Sequence, residues 1–108
     1  MEETTSLACN LAAFDPQQAD RYQELAQQLQ KAVREIQELP DGYSLRLPGE
    51  ATFCLLAAEF ITLEQLCCPF LKFGLEVEPD GGPVWLKLTG QAGVKQLLAV
   101  ELRLGDQA

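Results

Sequence analysis

The alternation of apolar and polar positions divides the chain into seven segments. Over residues 5–13, Leu7, Cys9 and Leu11 alternate with Ser6, Ala8 and Asn10, which predicts a strand with Cys9 on its apolar face. Asp15-Pro16-Gln17-Gln18 reads as a helix start, with Asp15 as cap, Pro16 at the first helical position and Gln18 closing a capping box. Tyr22, Leu25, Leu29, Val33 and Ile36 continue as one apolar stripe, so this helix is expected to run to about Gln37. Leu39-Pro40-Asp41-Gly42 then stops it and turns the chain.

Residues 43–47 predict a short strand with Tyr43, Leu45 and Leu47 on one face. A second helix is expected from about Glu50 to Cys67 or Cys68, ended by Pro69. Residues 70–78 and 84–89 alternate as two strands of a hairpin joined by Pro79-Asp80-Gly81-Gly82-Pro83. A last helix is expected over roughly 91–102, carrying Val94, Leu97, Leu98 and Leu102. The predicted order is β-α-β-α-β-β-α. It implies an α+β fold: a two-layer sandwich in which three helices cover one face of a four-stranded, mainly antiparallel sheet. A length of 108 residues makes this a single domain, 1–108.

Composition narrows the function. The chain carries 8 basic and 16 acidic residues, a net charge of -8, which argues against nucleic acid as a partner because phosphate binding needs a basic surface. No basic amphipathic segment suits a membrane surface and no apolar run suits a membrane span. The opening Met1-Glu2-Glu3-Thr4-Thr5-Ser6 is unlike a signal peptide, so a cytoplasmic location is expected. There is no histidine, which removes Ser-His, Cys-His and His-metal chemistry. Four cysteines are present, Cys9, Cys54, Cys67 and Cys68; in a reducing compartment they are expected as thiols or as thiolates on a metal.

One position breaks the pattern of the second helix. Placed at 100° per residue, Phe53, Leu56, Ala57, Phe60, Leu63 and Cys67 share an apolar arc, and Glu64 lies near the middle of it. Its spacing of three and four residues from Cys67 and Cys68 sets the carboxylate beside both sulfurs. A carboxylate there costs several kcal/mol unless a metal, a basic residue such as Arg46, Lys72 or Lys87, or solvent at a cleft relieves it. Cys9, on the inner face of its strand, would supply a further thiol, giving Cys9, Glu64, Cys67 and Cys68 as ligands for a thiophilic ion. The helix C-terminus and Glu64 are both negative and oppose a bare reactive thiolate, whereas a bound cation reverses that electrostatic argument. Cysteines are also small hydrophobes that often only pack. Trp85, on the less apolar face of its strand, is expected to cap a sheet edge or pack under a loop.

Cys-Asn-Leu at 9–11, Leu-Pro-Asp-Gly-Tyr at 39–43, Glu-x-x-Cys-Cys-Pro-Phe at 64–70 and Gly-Gly-Pro-Val-Trp-Leu-Lys-Leu-Thr-Gly at 81–90 together form a longer pattern. On it, the chain resembles a group of small uncharacterised bacterial proteins with a Cys…Glu-x-x-Cys-Cys-Pro-Phe signature. The resemblance supports the grouping of Cys9, Glu64, Cys67 and Cys68 and carries no established activity. Where that group commonly has an arginine after the glutamate, this chain has Gln65. The leading expectation is therefore a non-enzymatic domain binding a zinc, copper(I) or mercury(II) ion or a metalloid. The alternatives are a thiol redox or organometal-handling enzyme, with Glu64 as proton carrier, and an interaction module, a homodimer or a regulator's partner, whose cysteines only pack.

Overall fold

The structure, a computed structural model, describes residues 10–101. A short 3₁₀ turn, Leu11–Ala13, leads into helix α1 (Pro16–Ala32), and a hairpin follows, β1 (Glu35–Leu39) with β2 (Gly42–Leu47). Helix α2 (Ala51–Cys67) crosses to a second hairpin, β3 (Lys72–Val77) with β4 (Val84–Thr89), and helix α3 (Val94–Glu101) closes the described chain. The four strands form one antiparallel sheet in the order β1-β2-β4-β3. The expected α+β sandwich of three helices and four antiparallel strands is thus present.

Two expectations near the start need correction. Residues 10–13 are not a strand. Asn10 caps the 3₁₀ turn with its side chain, accepting from the Ala12 N–H at 3.2 Å, and residues 5–9 lie outside the described residues. Helix α1 also ends at Ala32 instead of Gln37, because Val33 turns extended and Glu35–Leu39 pairs with β2. The reason is the Pro40-Asp41 turn. It closes a two-residue hairpin, so the residues before it gain a full ladder partner, which outweighs one more helical turn. The start of α1 is as predicted: Asp15 accepts from the Gln18 N–H at 2.8 Å and the Gln18 side chain accepts from the Asp15 N–H at 3.0 Å.

The core lies between one sheet face and the helices. Tyr43, Leu45 and Leu47 of β2 stand opposite Leu88, Leu86 and Val84 of β4, and all six are buried. Helices α2 and α3 cover this face, packing Ala57, Cys67, Val94 and Leu98 against it. The close approach of β2 to β4 uses Gly42, where a Cβ would stand 1.9 Å from the Leu88 carbonyl oxygen. The other face carries Glu35, Arg46, Trp85 and Glu76 in one row across all four strands. Arg46 pairs there with Glu35 at 3.0 Å and Lys87 with Glu76 at 3.1 Å. Trp85 is half-buried in that row on a central strand, so it does not cap a sheet edge. Among the described residues no helix is long and apolar enough to cross a membrane.

Candidate functional site

Helix α2 positions the site. Its periodicity turns Ala57, Leu63, Glu64 and Cys67 inward and leaves Leu55 and Leu66 exposed on the far side. The helix ends where Pro69 forbids continuation, with Cys67 as its last residue and Cys68 as its cap, whose N–H donates to the Glu64 carbonyl at 2.6 Å. Both cysteines are fully buried and Glu64 is only 7% exposed, the one charged side chain among the buried described residues.

The Glu64 carboxylate is held from two sides. Cys67 Sγ lies 3.2 Å from Oε1 and donates to it, and the Tyr22 hydroxyl of α1 donates to the same oxygen at 3.1 Å. Cys68 Sγ stands 3.6 Å from that oxygen and 3.5 Å from Cys67 Sγ. Charge-assisted bonds of this kind offset part of the cost of burying the carboxylate. Arg46 and Lys87, expected as relief for it, are engaged with Glu35 and Glu76 on the opposite sheet face, and Lys72 is exposed. Tyr22 is fixed in turn by two rings, Phe14 at 5.0 Å and Phe60 at 5.6 Å between centroids. Tyr22, Ala26, Leu29, Phe60 and Leu86 line an apolar cavity of about 100 Å³ that reaches Glu64.

The oxidation states of the cysteines differ. Cys54 and Cys67 are thiols. Cys68 is disulfide-bonded, and a disulfide sulfur has no proton, so its approach to Glu64 is a contact and not a hydrogen bond. That departs from the expectation of thiols or metal-bound thiolates. Cys9 lies outside the described residues. Its neighbour Asn10 donates its backbone N–H to the Cys67 carbonyl at 2.8 Å, which ties the chain at residue 10 to the end of α2.

Of the residues singled out in sequence, Glu64, Cys67 and Cys68 come together, their ligand atoms all within 4.8 Å of one another. Cys54 stays apart, half-buried near the start of α2. Tyr22 was counted only as part of the apolar stripe. Its hydroxyl on an inward face was the available signal that a buried acceptor awaited it. No protein-family model, curated protein or solved structure matches this chain.

Proposed function

We propose that the reduced protein binds a thiophilic metal or metalloid ion through Glu64, Cys67 and Cys68. The spacing of the three ligand atoms carries this reading. A tetrahedral zinc with bonds of about 2.3 Å to sulfur and about 2.0–2.2 Å to oxygen separates two sulfurs by about 3.8 Å and a sulfur from an oxygen by about 3.5 Å. Here the two sulfurs are 3.5 Å apart and the oxygen lies 3.2 and 3.6 Å from them. The triangle therefore matches one face of a coordination tetrahedron to about 0.3 Å before any ion draws the ligands into place. Position adds to geometry, because the negative end of the α2 dipole lies at this point and favours a cation. Two thiolates with one carboxylate select soft or borderline ions over magnesium or calcium.

A second reading, thiol–disulfide chemistry, is favoured by one observation. Cys67, with Glu64 as acceptor for its proton, stands 3.5 Å from the sulfur of an existing disulfide. One experiment separates the two. Freshly reduced protein is titrated with zinc, copper(I), mercury(II) and arsenite under native mass spectrometry, beside a Cys67→Ser/Cys68→Ser variant. One tight equivalent, lost in the variant, is the expected result. Equal binding by both proteins, or none by either, overturns the ion reading.

A further inference from the structure

The cavity of about 100 Å³ lies between the three helices and the covered face of the sheet. Along α1 it is lined by Tyr22, Ala26 and Gln30, a single row of residues four apart that spans about 12 Å. Gln30 is exposed and Val33 half-buried, so this end of the row lies toward solvent. Leu45, Leu86 and Leu98, from the sheet and α3, form a buried floor. At the other end of the row stand Tyr22 and, from α2, Phe60 and Glu64.

Every other side chain lining the cavity is uncharged, so Glu64 sets the sign of a ligand. Its carboxylate and the Tyr22 hydroxyl lie together, 3.1 Å apart, and the rings of Tyr22 and Phe60 stack beside them with centroids 5.6 Å apart. A carboxylate flanked by aromatic rings favours an ammonium group, which offers N–H donors to the oxygens and a cation to the rings. An anion is repelled there, and the net charge of -8 acts in the same direction. A hydrocarbon fills the apolar walls but brings no donor to the polar end. Size narrows the class further: an apolar cavity of about 150 Å³ holds benzene, so one of about 100 Å³ takes about four carbons.

We propose that this cavity binds a short, unbranched primary amine in its protonated form, with the ammonium on Glu64 beside the Tyr22 hydroxyl and the alkyl chain along α1 over Leu86. Such an amine ionises like a lysine side chain, near about 10.4, and is a cation at neutral pH. Neither Cys67 nor Cys68 is among the residues lining the cavity, so the amine site does not depend on the ion reading, although Glu64 belongs to both.

The test titrates the full chain, reduced and without added metal, with butylammonium chloride and separately with butanol at neutral pH, following backbone amide shifts by NMR. Saturable binding of butylammonium with a Kd of about 1 mM is expected for so small a ligand, with shifts centred on the cavity-lining residues. Butanol should bind about tenfold more weakly, because it lacks the charge. Affinity should rise about fourfold per methylene from ethylammonium to butylammonium and level off beyond it. Glu64→Gln keeps the shape of the side chain, and it should bind butylammonium about tenfold more weakly and butanol as wild type does. Ala26→Leu puts an isopropyl group into the cavity and should abolish binding while the protein still melts cooperatively. The Cys67→Ser/Cys68→Ser variant should bind butylammonium as wild type does. No saturable shift in wild type up to about 50 mM, far above the expected Kd, overturns the site. So do equal affinities for butanol and butylammonium, undiminished amine binding in Glu64→Gln, or unchanged binding in folded Ala26→Leu.

Discussion

Replacing Cys67 separates packing from ligation, because alanine and serine alter the two by different amounts. Cys67 is fully buried and donates to Glu64 at 3.2 Å. In Cys67→Ala the lost sulfur forfeits a transfer term of about 1 kcal/mol. It leaves a void of about 25 Å³, worth about 0.6 kcal/mol at about 24 cal/mol per Å³. The lost hydrogen bond adds about 1 kcal/mol. The sum is about 2–3 kcal/mol, and at roughly 4 °C per kcal/mol for a domain of this size the melting temperature should fall by about 8–12 °C. Cys67→Ser keeps a donor for Glu64 and most of the volume, so it should lose only about 1 kcal/mol, about 4 °C. Ion affinity should not follow this ranking. Structural zinc sites bind with roughly 10–16 kcal/mol from four ligands, so one thiolate is worth about 3–4 kcal/mol and its loss costs about 10²–10³-fold in Kd. A hydroxyl is not deprotonated at neutral pH, so serine and alanine should lose affinity alike. Thermal melts without metal and chelator competition with zinc under dithiol measure the two quantities, and Cys54→Ala, remote from the cluster, serves as the control. A serine variant that keeps zinc affinity within about tenfold of wild type would refute the assignment of Cys67 as a ligand. So would affinities that fall in step with the melting temperatures.

Three further outcomes test the fold that supports the site. Leu86→Ala should destabilise by about 3–4 kcal/mol in urea unfolding, since Leu86 is 1% exposed and its loss enlarges a cavity already present. Asp15→Ala should cost about 1 kcal/mol, by the same measurement, through loss of the capping box. Arg21 of α1 holds Glu59 of α2 by two hydrogen bonds, 2.8 and 2.7 Å, which pull the Glu59 carboxyl below its ordinary value of 4.5. A carboxyl more acidic when folded contributes stability above its unfolded value and loses that contribution as pH falls through the folded one. The melting-temperature advantage of wild type over Arg21→Ala should therefore be small at about pH 6, since both side chains are more than a third exposed, and should vanish as pH falls below the lowered Glu59 value.

Local signals in the sequence carried most of the fold and the heart of the site. The capping box, the end of α2 at Pro69 and the β3–β4 hairpin rest on residues within a few positions of one another, and each is where the pattern placed it. The inward position of Glu64 follows from the helical period alone, and so does its approach to two sulfurs. The strand at Glu35–Leu39 was hidden because Val33 and Ile36 suit a helical stripe as well as an extended chain, and only the partner strand decides between them. The bond from Tyr22 to Glu64 joins two helices, and local periodicity does not report which residues meet across such a gap. The state of Cys68 was hidden for a similar reason, since pairing of thiols depends on three-dimensional distance and on redox poise.

The strand order has a consequence for how the molecule assembles. Both hairpins are local, and each can close on its own turn, but the seam between β2 and β4 joins Leu45 to Leu86, far apart in sequence. Loop closure of that length is the slow and entropically costly event in such a topology. Helix α2 lies within the connection that the seam closes, so closing the seam completes the core against which its thiol-bearing end packs. Until that seam closes, the core in which Cys67 and Cys68 are buried is incomplete. Whether reductant, oxidant or ion is at hand during that interval should then decide which chemical form is sealed inside.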